Sequence, residues 1–262
     1  MPEGHIIHRV AREQSADLKG QPVRVCSAQE RFAEGADRLD GQVLTRTEAW
    51  GKHLFHRYEG GDILHVHLGL IGKWFRRSPE EAMQPTTRVR IAGSDAAWDL
   101  TGPMRCALVT PEERAAVVAS LGPDPLRRGA DPRRMADRLA RSDKPVGLLL
   151  MDQAVVAGIG NVYRSEILNI VGIDPRRSGR DVSAEEVEAI WAEAVSQLRL
   201  GAHRGRIVTM PTSELPRPLA RLEPGEGRYV YKQTHCGRCG TELDVYPLGG
   251  RTTWSCPTCQ PR

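Results

Sequence analysis

The feature that most constrains the fold of this chain is a set of four cysteines near its C-terminal end, arranged as two C-x-x-C pairs. The segment between the pairs alternates polar and apolar residues around Gly249-Gly250, a pattern typical of a β-hairpin. Two such pairs that flank a hairpin predict one tetrahedral zinc site. Four thiolates leave no open position for water, so the zinc would be structural; a redox dithiol is the less favoured alternative. The predicted ligands are Cys236, Cys239, Cys256 and Cys259.

Composition limits the class of protein to which this hairpin belongs. The chain has 262 residues, enough for two domains, and a formal net charge of +4 that suits a polyanionic partner without requiring one. Its longest apolar stretch, GLLLMDQAVVAGIG, contains Asp152 and is too short to span a bilayer, and the first residues lack the apolar core of a signal peptide. We therefore expect a cytoplasmic monomer without membrane contact, in a compartment where paired cysteines bind metal.

The hydrophobic pattern changes along the chain and predicts several parts. Apolar residues recur at helical spacing over residues 5–18, and short β-like runs separated by turn signals follow over residues 22–109. Helical patterns come next, and one of them begins with a capping box formed by Ser183 and Glu186. The predicted fold is α+β and multidomain: an N-terminal antiparallel β-sandwich with a short N-terminal helix, a helical domain and the cysteine hairpin. The predicted boundaries are 1–120 for the sandwich, 121–132 for a linker rich in Pro and Gly, 133–227 and 228–262.

A second signal lies in LLLMDQAVVAGIGNVYRSEIL, where two apolar helical runs meet at a glycine-punctuated turn. Asn161 stands where the second helix would begin, and the free N–H groups of a helix N-terminus favour an anion such as a phosphate. The alternative is an ordinary N-cap after a tight turn, which this stretch alone favours. Arg251, at the hairpin turn, is equally consistent with a phosphate contact and with a solvated turn residue.

Three features of the β-rich region each allow two interpretations. Lys52, in WGKHLF, would hold a phosphate or assist proton transfer, or else be an ordinary surface lysine. His65 and His67 alternate and so share one face of a strand; the sequence offers no third metal ligand, and we interpret them as strand residues at a domain interface. Leu70 and Ile71 lie between two glycines, where an exposed apolar tip would wedge into a base stack, although core packing is the commoner role.

The first residues, MPEG, raise a further question. Pro and Gly are tolerated at disordered termini, and four residues recur by chance. Removal of Met1, usual before a small residue, would instead leave Pro2 with a free secondary amine that attacks an aldehyde carbon. Glu3 would then stand in a position to move protons.

These motifs occur together in one order: MPEG at the start, GKHL in the β-rich region, GIGNVYRSEIL in the helical region, and a Cys₄ ribbon with an arginine at its turn. In that order and spacing, over essentially the whole chain, the sequence resembles the formamidopyrimidine-DNA glycosylase and endonuclease VIII family of base-excision repair enzymes. The resemblance implies a helix–two-turns–helix in the helical domain and a zinc ribbon at the end. It also implies damaged, double-stranded DNA as the partner.

Carried over by position, the resemblance implies a role for each motif. Pro2 would be the Schiff-base nucleophile, Glu3 the proton donor and acceptor at the deoxyribose, and Lys52 a catalytic lysine. Asn161 and Arg251 would grip the phosphates around the lesion. The implied activity is that of a bifunctional DNA glycosylase and AP lyase, which removes a damaged base and cleaves the strand by β,δ-elimination.

The chain departs from the formamidopyrimidine branch in its loop PMRCAL, where Met104 and Cys106 stand at the arginine and phenylalanine positions of that branch. Leu70 and Ile71 instead resemble the wedge loop of the endonuclease VIII branch, which implies oxidised pyrimidines as substrates. Three alternatives remain: the same fold with another lesion preference, such as alkylated bases or abasic sites; a non-catalytic zinc-finger DNA-binding protein; and, least favoured, a zinc-ribbon scaffold for a protein partner. Retention of the N-terminal Pro-Glu pair argues against the second, since phosphate binding needs neither residue.

Overall fold

The computed structural model describes residues 2–262, so Met1, and with it the question of its removal, lies outside the described residues. The chain divides after Ser120 into two compact units. The helices are α1 (Gly4–Leu18), α2 (Ala33–Leu39), α3 (Pro111–Ser120), α4 (Arg133–Ala140), α5 (Val146–Leu149), α6 (Asn161–Ile170) and α7 (Ala184–Arg204). The strands are β1 (Arg24–Cys26), β2 (Leu44–Trp50), β3 (His53–Tyr58), β4 (Ile63–His67), β5 (Lys73–Arg77), β6 (Thr87–Ala92), β7 (Ala97–Thr101), β8 (Arg105–Val109), β9 (Asp244–Leu248) and β10 (Arg251–Ser255).

The first unit is a sandwich of two four-stranded antiparallel sheets, ordered β1-β6-β7-β5 and β2-β3-β4-β8. One apolar core joins the inner faces of the two sheets. Val25, Ile91 and Leu100 enter this core from the first sheet, and Leu54 and Val66 enter it from the second. The predicted antiparallel β-sandwich is confirmed, and its physical basis is the alternation of apolar residues along each strand.

Helices of the first unit differ in how well the sequence predicts them. Helix α1 buries Ile7, Val10 and Leu18 at helical spacing, as its periodicity predicts. The pattern does not predict α2, which lies inside the region interpreted as strands. Its sequence AEGADRL buries only Ala36 and Leu39 on the sandwich, and two buried residues are too few to show a helical periodicity in the sequence.

The segment 121–132, predicted as a linker, belongs to the second unit. Residues 121–125 are buried, and the Gly122 N–H donates to the Gln153 carbonyl at 2.9 Å. A Cβ at Gly122 would stand 2.3 Å from the carbonyl oxygen of Val155, so glycine is needed for this close approach. Proline and glycine serve tight packing here, which a composition-based linker prediction cannot distinguish from flexibility.

The remaining elements of the second unit follow local signals. The side chains and backbone N–H groups of Ser183 and Glu186 form the predicted capping box of α7, and Gly205 ends this helix with a φ of 71°. Gly249 and Gly250 have φ values of 58° and 72°, which suit the tight turn that joins β9 to β10. Within residues 2–262, none of the helices is long and apolar enough to cross a membrane.

Candidate functional site

The N-terminal pair lies at the start of α1, at the edge of a cleft. Pro2 is half-buried and lines this cleft of about 360 Å³ together with Ile6, Leu68 and Trp74. Glu3 is the N-cap residue of α1 and is fully buried. Its carbonyl accepts a hydrogen bond from the Ile6 N–H at 3.0 Å, so the first turn of the helix fixes the backbone of this pair. The structure thus places Pro2 at the cleft with the sheltered carboxyl-bearing residue Glu3 next to it in the chain.

Lys52 lies in the turn between β2 and β3, directly before the strand that the sequence predicts. Gly51 adopts a φ of 55° in this turn. Burial lowers the pKa of His67, and the nearby charge of Lys52 lowers it further. Burial lowers the pKa of His53 to about 4, helped by repulsion from His67 when that ring is protonated and from Arg105 and Lys52. At neutral pH, the imidazoles of His53 and His67 are therefore neutral.

His65 and His67 share a face of β4, as alternation predicts, and a third histidine joins them. His53 Nδ1 lies 2.9 Å from His65 Nε2, and the ring centres of His53 and His67 lie 4.9 Å apart. The ring of His65 stacks on Phe55 with centres 4.5 Å apart. In the part of the chain that the structure describes, the only group of three or more side chains placed to share a metal ion is the cysteine set. We therefore interpret these histidines as hydrogen-bonded strand residues.

Three exposed side chains, Leu70, Ile71 and Met104, form what we call the apolar tip. Leu70 is 55% exposed and Ile71 77%, both between β4 and β5, and Met104 is 70% exposed between β7 and β8. Gly69 allows the two loops to meet: its φ is 67°, and a Cβ there would stand 2.8 Å from the Met104 Cβ. The sequence marks Met104 only as a departure from a family motif. Cys106, the other departure, belongs to β8 and packs against the sandwich core.

In the second unit, Asn161 and the hairpin turn are joined directly. Asn161 is the first residue of α6, with Gly160 as the N-cap, and its side chain does not cap the helix. Asn161 Nδ2 donates instead to the Thr252 carbonyl at 3.0 Å. Thr252 directly follows Arg251, which is exposed at the turn. The Asn161 side chain therefore contacts the residue that directly follows Arg251.

Sequence analysis misses a buried residue behind this pair. Arg164 lies one turn after Asn161 in α6, and its side chain is fully buried. Its guanidinium donates to Asn161 Oδ1 and to Thr253 Oγ1 of β10. The one signal that would have indicated it is an arginine one helical turn after a candidate ligand.

The four cysteines meet at the base of the hairpin. Their sulfur atoms all lie within 4.8 Å of one another. The Cys239 and Cys256 sulfurs are 3.4 Å apart, and the Cys236 and Cys259 sulfurs are 4.0 Å apart. A tetrahedral zinc ion with Zn–S bonds of about 2.3 Å separates its sulfur ligands by about 3.8 Å. The donor set and its spacing therefore fit a thiolate-preferring metal ion.

Two protein-family models match the chain. The N-terminal domain of formamidopyrimidine-DNA glycosylase matches residues 1–108, and the H2TH domain of that glycosylase matches residues 121–212. The chain belongs to the formamidopyrimidine-DNA glycosylase family. Members of this family, endonuclease 8 among them, are DNA glycosylases with AP lyase activity.

Individual relatives agree with this family. Endonuclease 8 1 of Mycobacterium tuberculosis is 45% identical to the chain, over 99% of it and 100% of the relative. Formamidopyrimidine-DNA glycosylase of Bacillus cereus is 28% identical, over 86% of the chain and 84% of the relative. A crystal structure of Lactococcus lactis Fpg with DNA containing N7-benzyl-Fapy-dG superposes with a TM-score of 0.84 over 100% of both chains, at 21% identity. This last likeness establishes the shared fold.

Proposed function

We propose that this member of the glycosylase family removes oxidised bases, pyrimidines above all, from double-stranded DNA through a Schiff base on Pro2. The observation that carries the proposal is the position of Pro2 at the edge of the cleft, with the buried carboxyl of Glu3 beside it. The preference for pyrimidines rests on the apolar tip and on the higher identity to the endonuclease 8 relative. With chromosomal DNA as substrate, the enzyme would act in the cytoplasm at the nucleoid.

The proposed chemistry follows from a secondary amine. The lesion is first flipped out of the duplex, because its glycosidic bond is inaccessible in the stack. With Met1 removed, the Pro2 nitrogen attacks C1′, the bond from C1′ to the base breaks, and the base leaves with a proton. Glu3 protonates O4′, so that the sugar ring opens to a cationic iminium. This iminium acidifies C2′: loss of a C2′ proton breaks the C3′–O bond, and a second elimination breaks the C5′–O bond.

The other candidate residues would hold the DNA in place for this reaction. Asn161 and Arg251 donate to phosphates near the flipped nucleotide. The hydrogen bond from Asn161 to the Thr252 carbonyl, directly after Arg251, supports a shared role. Lys52 contacts a further phosphate or assists proton transfer. The apolar tip fills the gap that the flipped base leaves, which its exposure supports.

The four cysteines would hold one structural Zn²⁺. When bound, the ion supplies rigidity to the hairpin and takes no part in the reaction, because a Cys₄ site is closed to water. The hairpin in turn carries Arg251 at its turn. This link makes DNA affinity depend on the metal.

Borohydride trapping tests the proposal. The substrates are labelled duplexes with one abasic site or one 5-hydroxyuracil, and the proteins are the wild type and Pro2→Gly, with intact-mass analysis to establish removal of Met1. We expect a covalent protein–DNA band from both duplexes with the wild type and none with Pro2→Gly. Tight DNA binding without a band, or a retained Met1, would refute the Schiff-base mechanism and favour a non-catalytic DNA-binding protein. A band from the abasic duplex alone would refute the pyrimidine preference.

A further inference from the structure

We propose that Arg164 is the positioning residue for the phosphate-binding groups of the second unit. It sets the orientation of the Asn161 amide and anchors the strand that begins with Arg251. This inference rests on the proposed function, because it takes Asn161 and Arg251 as ligands of DNA phosphates.

The contacts of Arg164 surround the hydrogen bond that joins α6 to the hairpin. The Nη2 group donates to Asn161 Oδ1 and to Thr253 Oγ1, the latter at 2.7 Å, and it lies 3.3 Å from the Thr252 carbonyl oxygen. The Nη1 group lies 3.5 Å from the carbonyl oxygen of Gly147, which precedes the turn-rich segment before α6. One guanidinium thus contacts the candidate ligand and the two residues that follow the other candidate ligand.

The chemistry of the two groups decides the orientation of the amide. A guanidinium only donates hydrogen bonds, so the atom of Asn161 that faces Arg164 must be the acceptor, Oδ1. Nδ2 is thereby turned toward the Thr252 carbonyl, which takes one of its two hydrogens. The second hydrogen is left for a ligand. In the flipped orientation, Oδ1 would face the Thr252 carbonyl oxygen, and no N–H would be presented to a phosphate.

The same guanidinium also anchors the hairpin. Thr253 is fully buried and bonded to Arg164, whereas Arg251, two residues earlier in β10, is exposed. A side chain that binds from a fixed backbone loses less conformational freedom than one that binds from a mobile loop. Arg164 therefore prepares both ligands, although it is itself buried behind them.

Burial of an arginine side chain is energetically less favourable than burial of an apolar side chain of the same size. Desolvation of a guanidinium is unfavourable unless oxygen acceptors replace water, and an apolar side chain of similar volume is often neutral or stabilising. The Nη2 group of Arg164 finds such acceptors at the candidate phosphate site. The placement of these acceptors points to a role in orienting that site.

A double-mutant cycle tests the inference. Affinity for a duplex with a tetrahydrofuran abasic analogue is measured by fluorescence anisotropy for Asn161→Ala, Arg164→Met and the double variant. Each single substitution should weaken binding about 10-fold, as the loss of one charge-assisted or phosphate hydrogen bond predicts. The double variant should bind no more weakly than Arg164→Met alone, and should not show the about 100-fold loss that independent sites would give.

Two controls separate positioning from general loosening. Arg238→Met removes donors to the Asn169 and Ile170 carbonyls at the other end of α6, and it should leave the affinity within about 2-fold. Metal content and urea-induced unfolding are measured for every variant. If Arg164→Met does not fold, Arg164→Lys is measured by itself: an ammonium still donates to Asn161 Oδ1, so the affinity should stay within about 2-fold of the wild type, and a loss as large as that of Asn161→Ala would overturn the positioning role.

The possible outcomes distinguish a failure of the positioning role of Arg164 from a failure of the proposed phosphate-binding role of Asn161. Independent losses in the cycle, unchanged affinity of folded Arg164→Met, or an equal loss in Arg238→Met would overturn the positioning role and leave the phosphate role of Asn161 intact. Unchanged affinity of Asn161→Ala would overturn that phosphate role and the inference with it. Coupled losses in folded, metal-loaded protein would support both.

Discussion

Glu166, in the middle of α6, should be the strongest single point of stability in the second unit. Its fully buried carboxylate accepts from three consecutive backbone N–H groups, those of Tyr229, Val230 and Tyr231, at 2.7, 2.9 and 2.7 Å. It also accepts from the hydroxyl of Thr209. One side chain therefore joins α6 to both ends of the long loop that precedes the hairpin.

The substitution Glu166→Gln changes this carboxylate with little change of shape. One carboxylate oxygen becomes an NH₂ group, which is least unfavourable at Oε2: there the Thr209 hydroxyl can turn to accept from it, but the Tyr229 N–H loses its acceptor. The donors at the other oxygen keep an acceptor but lose its charge. A hydrogen bond to a charged group contributes about 1.5–3 kcal/mol and one to a neutral group about 0.5–1.5 kcal/mol, so loss of the Tyr229 bond and weakening of the Val230 and Tyr231 bonds should lower the free energy of unfolding by about 3–6 kcal/mol.

Urea-induced unfolding followed by tryptophan fluorescence measures this loss. Trp254 packs on Tyr231, with ring centres 4.8 Å apart, and so reports on the affected segment. The control is Glu188→Gln, at an exposed position of α7, which should change the free energy by less than about 0.5 kcal/mol. A loss below about 1 kcal/mol in Glu166→Gln would refute the reasoning, because it would mean that the four hydrogen bonds do not depend on the charge.

Three further predictions follow from the structure. Burial lowers the pKa of His56 to about 3, whereas the unfolded side chain titrates near 6.5, so the neutral form favours the fold and stability falls as the pH drops below about 6.5. By pH 5, His56 should have lowered the free energy of unfolding by about 2 kcal/mol. Urea-induced unfolding of the wild type and of His56→Gln at pH 7 and pH 5 measures this loss, and an equal loss in both proteins would contradict the role of His56. Cys256→Ser should release the metal to a chromogenic chelator and weaken DNA binding. The control Cys26→Ser, at a free cysteine of β1, should do neither. Tight DNA binding by metal-free Cys256→Ser would show that the hairpin is not needed for binding. Replacement of Leu70 and Ile71 by Ser should slow base removal from a duplex more than from single-stranded DNA in single-turnover assays, because only a stacked duplex needs a wedge, and equal slowing would contradict that role.

Local signals in the sequence predict those parts of the fold that depend on neighbouring residues. The capping box of Ser183 and Glu186 starts α7, and Gly249-Gly250 turns the hairpin, because each is a backbone requirement met within a few residues. The cysteine spacing likewise predicts the only side-chain group in residues 2–262 that is placed to share a metal ion.

Other parts depend on contacts that no local pattern contains. Proline and glycine in 121–132 predict a linker, but residues 121–125 are buried because residues of the later turn-rich segment pack against Gly122. The short helix α2 lacks enough apolar residues for a visible period, and it forms where Ala36 and Leu39 meet the sandwich. In both cases, long-range packing overrides the local preference.

The candidate site divides in the same way. By itself, the sequence determined which chemistry the chain carries: an N-terminal proline beside a glutamate, a set of thiolates, and single polar residues at a turn and at a helix start. Only the tertiary structure decided that Met104 joins Leu70 and Ile71, that Asn161 bonds to the residue after Arg251, and that Arg164 stands behind them. The physical reason is separation along the chain. Residue types and short spacings are encoded locally, whereas the orientation of an amide is set by a hydrogen bond to a strand 91 residues away.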